Sequence, residues 1–201
     1  MSKFSTLSAT AALGAALITS AHFADAAAGA DKAYGAAMDK MMKDINKPAT
    51  GKPDFDFVTG MIPHHQGAVA MAKVEKQFGK YPDMLKLADA VIASQTSEIA
   101  LMKGWLKTKP LSGQKILVDA KSASKMAMDK MMGDMMTSKT GKADIDFARG
   151  MIPHHQGAID MAKVDLKFGT DGDVKKLATD VVSAQESEIA VMQQWLTVHA
   201  K

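Results

Sequence analysis

The chain has 201 residues, which fits one compact domain or two small ones, and 47% hydrophobic residues are enough to build a core. The formal net charge is only +3 and no run of Lys and Arg is present, which argues against a nucleic-acid binder. Cysteine is absent, which excludes disulfides, thiolate zinc sites and iron–sulfur clusters. Methionine occurs 17 times, which is typical either of an adaptable core or of thioether ligands for Cu(I).

The N-terminal residues 1–26 have the pattern of a secretory signal peptide. Lys3 gives a positive start, residues 9–18 form a weakly apolar stretch, and residues 24–26 (Ala-Asp-Ala) match the small-x-small pattern before a cleavage site. The apolar stretch is well short of the roughly 20 residues that a membrane anchor needs. We therefore expect export, to the periplasm in a Gram-negative host, with cleavage after Ala26 and no membrane span in the remaining chain.

The rest of the chain is a tandem duplication. Residues 36–106 align with residues 126–196 at a constant offset of 90, and 41 of the 71 positions are identical. The block GMIPHHQGA at 60–68 returns unchanged at 150–158. The predicted organisation is a signal peptide over 1–26, a first helical repeat over 27–110 and a second helical repeat over 111–201.

Each copy predicts three helices, so the expected fold class is all-α. In the first copy the helices span about residues 31–46, 54–78 and 83–107, with Asp83 as the N-cap of the third, and a connector follows at 108–121. Pro63 is expected to kink or split the second helix. The two copies could form two small bundles or combine into one four-helix bundle, and the sequence leaves both arrangements open.

Histidine and methionine form the candidate site. Adjacent histidines on a helix point about 100° apart, so His64 and His65 do not readily hold the same ion. Met61 lies three residues before His64 and four before His65, which places a thioether beside an imidazole, and the second copy repeats this arrangement. The first helix of each copy adds a methionine face. The candidate metal ligands are Met38, Met41, Met42, Met61, His64, His65, Met71, Met102, Met128, Met131, Met132, Met135, Met136, Met151, His154, His155, Met161 and Met192.

The chemistry of these ligands favours a soft ion. Thioether sulfur and neutral imidazole suit Cu(I) and Ag(I), whereas Zn(II) prefers Cys, His and carboxylate. The copies exchange several apolar side chains but keep the methionines at 41, 42, 61, 71 and 102, although packing alone would tolerate leucine. Glu98 and Glu188 lie among apolar neighbours, and we expect each to hydrogen-bond a ligand histidine and fix its tautomer.

Two other functions compete with metal binding. The methionine faces could bind a partner helix without metal, or a copper-dependent redox enzyme could be built on the helices. No nucleophile–base constellation is visible, so we predict a binding protein and not an enzyme. His199 has no counterpart in the first copy and is interpreted as a solvated tail residue.

Two segments carry a family resemblance, residues 57–72 (FVTGMIPHHQGAVAMA) and the pattern QxxEIxxMxxWL at 95–106, and each is repeated in the second copy. They resemble the signature of the domain-of-unknown-function 305 family. The resemblance implies a ferritin-like helical fold. It also implies, from exported members of the CopM type, binding of Cu(I) and Ag(I) in copper resistance. The expected function is therefore sequestration of these ions or their delivery to a periplasmic copper-handling protein.

Overall fold

The structure is a computed structural model that describes residues 12–135 and 139–200, with side chains from residue 27 onward. Within these residues it contains six α-helices, one short 3-10 helix (Leu111–Gly113) and no strand, which confirms the predicted all-α class. The helices are α1 (Ala12–Ile45), α2 (Pro53–Phe78), α3 (Pro82–Thr108), α4 (Val118–Asp134), α5 (Ala143–Phe168) and α6 (Gly172–His199). No helix in the described ranges is long and apolar enough to span a membrane.

The first helices differ most from their predicted bounds. Helix α1 begins at Ala12 instead of about residue 31, and it passes unbroken through the predicted cleavage position after Ala26. Residues 1–11 of the predicted signal peptide lie outside the described residues. Helix α4 begins at Val118, inside the segment that was predicted to be a connector.

The proline in each PHHQ block does not divide its helix, so the expected split at Pro63 is wrong. Helix α2 continues through Pro63, and α5 continues through Pro153. A proline removes one backbone hydrogen bond, but tertiary packing of a buried face supplies most of a helix's stability in a protein. The prediction that Asp83 caps α3 is also wrong, because the N-cap position belongs to Tyr81 and Asp83 lies in the first turn.

Helices α2 and α5 form the centre of the fold and run antiparallel. In each copy the third helix and the first helix pack on the central one, so α1 and α3 contact α2 while α4 and α6 contact α5. The antiparallel direction follows from two reciprocal contacts, in which the methyl group of Met71 lies at Gly150 and that of Met161 lies at Gly60. The offset of 90 in the sequence thus becomes an approximate two-fold axis between α2 and α5.

The two copies share their hydrophobic cores. One core joins Met61 and Met102 of the first copy to Val181 of the second, and the other joins Met84 to Met192. Because each core draws side chains from both copies, neither copy buries its apolar face alone. The structure therefore decides the open question in favour of one combined helical bundle, in which α1 and α4 cover the sides.

Hydrogen bonds between aspartate side chains and the backbone of the other copy hold the start of α2 and the start of α5 against the opposite copy. The carboxylate of Asp54, at the start of α2, accepts bonds from the backbone N–H groups of residues 170 and 171, at 3.0 and 3.1 Å. Asp144, at the start of α5, accepts bonds from the backbone of residues 80 and 81, both at 2.9 Å. These aspartates therefore bind the other copy instead of capping their own helices. Asp56, in contrast, accepts bonds from the backbone of residues 50 and 51 in its own copy.

Candidate metal centre

The two PHHQ blocks meet where α2 crosses α5. The imidazole rings of His64 and His154 lie with their centroids 3.9 Å apart and their planes tilted by 49°. His154 Nε2–H donates a hydrogen bond of 3.2 Å to the backbone carbonyl of His64, so Nδ1 of His154 carries the lone pair when the ring is neutral. Both rings are fully buried, as are those of His65 and His155. The sequence repeat thus places four imidazoles at one point of the fold.

The buried rings of His64 and His154 are held in the neutral form. Burial is the main cause that lowers the pKa of each ring well below its ordinary value, and the neighbouring imidazoles lower it further. Neither ring nitrogen of His64 has a hydrogen-bond partner among the described residues, and Nδ1 of His154 has none. A buried polar atom without a partner costs about 1–3 kcal/mol. Neutral imidazole nitrogens of this kind are available as metal ligands.

The second histidine of each block is oriented by a carboxylate. Nε2 of His65 lies 2.6 Å from a carboxylate oxygen of Glu98, and Nε2 of His155 lies 2.6 Å from Glu188. Since a carboxylate accepts and the imidazole N–H donates, each Nε2 carries a hydrogen, and in the neutral form of the ring the lone pair is on Nδ1. Both Nδ1 atoms are buried and have no partner among the described residues. The predicted pairing of these glutamates with histidine is therefore present in both copies.

Glycines flank His64 on its own helical face and admit methionine side chains. Gly60 and Gly67 lie four residues before and three residues after His64, so both are its neighbours on α2. The methyl group of Met161 packs at Gly60, and the sulfur of Met41 lies only 2.5 Å from where a Cβ of Gly67 would stand. Thioether side chains from α5 and α1 therefore approach the backbone on either side of the His64 ring.

The second copy repeats this arrangement around His154. The methyl group of Met71 packs at Gly150, and the side chain of Met131 packs at Gly157, with Cγ 2.5 Å from the position of a Cβ. The two histidines at the crossing are thus accompanied by methionines from four helices. In the described ranges no group of three or more His, Asp or Glu side chains is placed to hold a metal ion.

The remaining predicted ligands divide by position. Met61, Met102, Met151 and Met192 are fully buried in the cores of the central helices. Met38, Met42, Met128 and Met132 are half-buried and pack against the edges of these cores. Met135 is buried at the end of α4, and Met136 lies outside the described residues. The structure therefore groups Met41, Met71, Met131 and Met161 with the histidine pair and spreads the others along the bundle.

A buried carboxyl group faces each of the cross-copy aspartates. Burial, and then the neighbouring Asp144, raise the pKa of Glu75 to about 8. Burial, and then the charge of Asp54, raise the pKa of Asp165 to about 7. The hydroxyl of Tyr34 also donates a hydrogen bond of 3.3 Å to Glu75. A protonated carboxyl group lies beside a carboxylate without charge repulsion, so each pair is compatible with the contact between the copies when its raised group is neutral.

The glycines were missed by the sequence interpretation. A glycine inside a helix costs about 1 kcal/mol relative to alanine, so one that is retained in both copies needs a reason. Gly60 and Gly67 recur as Gly150 and Gly157 at the same spacing around the histidine. That spacing in a helical segment could have indicated that another side chain approaches the backbone there.

The interpretation of His199 as a solvated tail residue is wrong. His199 ends α6, and its ring stacks on Trp195 with centroids 4.2 Å apart and planes 12° apart. Its Nδ1–H donates a hydrogen bond of 2.9 Å to the backbone carbonyl of Trp195. This ring is packed at the C-terminal end of the bundle and is not part of the histidine cluster at the crossing.

A family model described as "Domain of unknown function (DUF305)" matches residues 14–106 and 54–196, which together include both PHHQ blocks. The chain belongs to the DUF305 family. This confirms the resemblance that the repeated segments indicated. The glycine, histidine and methionine positions described above fall within the part of the chain that the DUF305 model covers.

Solved structures share the fold of this DUF305 chain. CopM in an Ag-bound form is 31% identical with a TM-score of 0.58, over 74% of this chain and 97% of CopM. CopM in the Cu(I)-bound form is 33% identical with a TM-score of 0.56, over 72% of this chain and 95% of CopM. A DUF305 protein of Streptomyces coelicolor, named as a candidate secreted protein, is 27% identical with a TM-score of 0.57, over 74% and 93%.

A curated relative matches a shorter part of the chain. "Uncharacterized protein L153" of Acanthamoeba polyphaga mimivirus is 42% identical over 53 residues, or 26% of this chain. The match spans about a third of that relative's length, namely 35%.

Proposed function

We propose that this chain binds Cu(I) and Ag(I) through neutral imidazole and thioether ligands at the crossing of α2 and α5. The observation that carries the proposal is the buried pair His64 and His154, whose unpartnered nitrogens lie between glycines that admit methionine side chains. Thioether and imidazole are ligands that suit Cu(I), and Ag(I) shares its softness. The likeness to CopM, solved with both ions, supports the same choice of metal.

The charge of the ligand set also favours a monovalent ion. The side chains at the crossing are neutral, because burial keeps the two histidines unprotonated and thioethers carry no charge. Moving an ion out of water costs several kcal/mol even after the protein relaxes, and the cost grows with the charge of the ion. Zn(II) would need anionic thiolates or carboxylates to offset that cost. Cu(I) and Ag(I) carry a single charge and prefer the soft ligands that are present.

The burial of the site supports binding in preference to catalysis. The rings of His64 and His154 are fully buried, and no histidine lines either of two methionine-lined cavities between the copies. A redox enzyme would need an open coordination position that a substrate can reach. The proposed role is therefore to sequester the ion or to deliver it to another copper-handling protein. We place this role in the periplasm, in copper homeostasis or resistance, after removal of residues 1–26 as a signal peptide.

A Cu(I) competition titration of the exported protein against a chromophoric chelator, without oxygen, tests the proposal. The protein should withdraw Cu(I) from the chelator, and the double variant His64→Ala/His154→Ala should lose at least about tenfold in affinity. His199→Ala is the matched control, because this histidine lies outside the crossing, and it should bind as tightly as the unchanged protein. Helical circular dichroism of each variant separates loss of a ligand from loss of the fold.

A second pair of variants tests the thioethers without opening cavities. Met41→Leu/Met131→Leu nearly preserves volume, so it should keep the fold while lowering Cu(I) affinity. If the unchanged protein withdraws no Cu(I), the metal proposal is wrong. Binding of a metal-free partner by the methionine faces would then explain the composition better. If the leucine variants bind as well as the unchanged protein, the thioethers are core residues and not ligands.

A further inference from the structure

A small cavity lies between the two copies, apart from the histidine pair. It has a volume of about 130 Å³ and is lined by residues of α1, of α2, of the end of α4 and of α5. Three of the lining side chains are methionines, Met38, Met71 and Met135, and each comes from a different helix or helix end. Helices from both copies are thus needed to bring these three thioethers to one place.

The approximate two-fold axis generates a second cavity on the opposite side. Every residue that lines the first cavity has its counterpart, at an offset of 90, in the lining of the second. Met38 and Met71 correspond to Met128 and Met161, which both line the second cavity. The correspondence shows that the two cavities are a product of the duplication and of the crossing, and not accidental gaps in packing.

The two cavities differ in size for a reason that the sequence supplies. The second has a volume of about 730 Å³, and it has Ser124, Thr59 and Ala49 where the first has a tyrosine, an arginine and a lysine. These small side chains leave open the space that Tyr34, Arg149 and Lys139 restrict in the first cavity. The third thioether differs as well, because Ile45 occupies the place of Met135 and the third methionine of the second cavity is Met132.

We infer that the smaller cavity is a second soft-cation site, in which Met38, Met71 and Met135 bind one Cu(I) or Ag(I) ion without histidine. Gly150 lines the cavity, and the absence of a side chain there gives room to the methyl end of Met71. The volume is well above the roughly 10–15 Å³ that one water needs in the same measure, so the cavity has room for an ion. Three thioethers form the soft, uncharged ligand set that Cu(I) and Ag(I) prefer.

The surrounding charges are compatible with a monovalent cation. Two acidic residues, Asp39 and Asp146, and two basic residues, Lys139 and Arg149, line the cavity. Lys139 donates its ammonium hydrogen bond to the backbone carbonyl of Asp31, and Asp146 accepts bonds from the backbone of residues 140 and 141. The lining charges therefore balance, and the thioethers are left as the groups that would hold the ion.

Exchange of one residue between the two cavities tests this inference in the whole protein. Met135→Ile introduces the side chain that already occupies the equivalent position, Ile45, so the fold has a precedent for it. This variant should lower the affinity for one Ag(I) ion by at least about tenfold. Loss of a ligand should lower the affinity no less than loss of a residue that only hydrogen-bonds a ligand. The reverse change, Ile45→Met, should strengthen Ag(I) binding at the second cavity. Met84→Leu, a buried methionine that lines neither cavity, is the control and should change nothing.

The measurements are the number of Ag(I) ions retained in native mass spectrometry and their affinities in a calorimetric titration with Ag(I). X-ray absorption of the ion retained by His64→Ala/His154→Ala should show sulfur neighbours only. Equal number and affinity of ions in Met135→Ile and in the unchanged protein would overturn the inference, whatever the histidines do. Conversely, if Met135→Ile loses one ion while His64→Ala/His154→Ala retains as many ions as the unchanged protein, with equal affinities, the thioether site is supported and the proposed histidine site is contradicted.

Discussion

The close approach of Met41 to Gly67 gives the most specific prediction for the crossing. A Cβ at Gly67 would lie 2.5 Å from the sulfur of Met41, 2.7 Å from its Cγ and 3.0 Å from its Cβ. The last distance matters most, because the Cβ of Met41 does not move unless the backbone of α1 moves. Gly67→Ala should therefore push α1 away from α2 and carry the Met41 thioether away from His64.

Two effects of opposite sign determine how Gly67→Ala changes the free energy of unfolding. Alanine in place of glycine inside a helix stabilises by about 1 kcal/mol, as a matter of helix propensity alone. Forcing an extra methyl group into a packed contact costs about 1–3 kcal/mol. Since three side-chain atoms of Met41 lie within 3.0 Å of the new group, we expect a net loss of about 1–2 kcal/mol for Gly67→Ala. For a chain of this size the melting temperature should fall by about 2–8 °C.

Gly104→Ala is the matched control. Gly104 lies inside α3, and no described atom comes within 4 Å of a Cβ built there, so only helix propensity applies. This variant should gain about 1 kcal/mol in the free energy of unfolding. Urea and thermal unfolding, followed by circular dichroism, measure both variants under the same conditions.

A double-mutant cycle separates the overlap from other effects. In a Met41→Ala background the overlaps with the sulfur and Cγ are absent and only the 3.0 Å approach of the two Cβ atoms remains, so Gly67→Ala should cost clearly less than in the unaltered background. Cu(I) affinity should not recover in the double variant, because the thioether is missing. If Gly67→Ala is as stable as Gly104→Ala in the unaltered background, then Met41 is free to move and the packing argument around His64 is refuted.

Three further predictions concern titration, orientation and export. Because burial raises the pKa of Glu75 to about 8, the folded chain holds a proton that the unfolded chain releases above about pH 4.5, and stability should fall as the pH rises between these values. Glu75→Gln should reduce this fall in melting temperature. The lowered pKa of His64 acts in the opposite sense, so stability should also fall as the pH drops below about 6.5. Glu98→Ala should lower Cu(I) affinity by about 10- to 100-fold, because His65 loses the acceptor that fixes its tautomer. The mass of the exported protein should correspond to cleavage after Ala26.

Each of these predictions has a result that would contradict it. A melting temperature equally dependent on alkaline pH with and without Glu75→Gln would show that this carboxyl group does not titrate as inferred. Glu98→Gln, whose amide oxygen still accepts the bond from His65, should retain most of the affinity, and a loss equal to that of Glu98→Ala would argue for a role of charge. Glu186→Gln, at an exposed ion pair with Lys163, should leave Cu(I) affinity unchanged. An exported protein of full mass would refute the signal peptide.

Much of the candidate site was readable from the repeat. The offset of 90 identified the PHHQ blocks, and the apolar neighbours of Glu98 and Glu188 indicated that these carboxylates need a partner. The structure places each on the second histidine of its own copy, at the same distance of 2.6 Å. Such a pairing joins two helices of one hairpin, so it depends on local periodicity and on a single turn.

Contacts between the copies were decided by the tertiary structure. The facing of His64 and His154, the reciprocal bonds of Asp54 and Asp144, and the contact of Met71 with Gly150 all join residues more than 60 positions apart. Helical periodicity says which face of a helix is apolar, but it does not say which of several apolar faces will be its partner. In this structure the partner of each central helix is the one whose methionine side chains pack on its glycines at the crossing.

The sequence by itself therefore determined the all-helical class, the duplication and the soft-ligand composition. These follow from short-range spacing and from residue chemistry, which are properties of the chain before it folds. Only the tertiary structure decided that the copies form one bundle, that α2 and α5 cross at their histidines and that unequal methionine-lined cavities flank the crossing. These features arise because each copy leaves an apolar face that it cannot bury alone, and only the other copy has the matching surface.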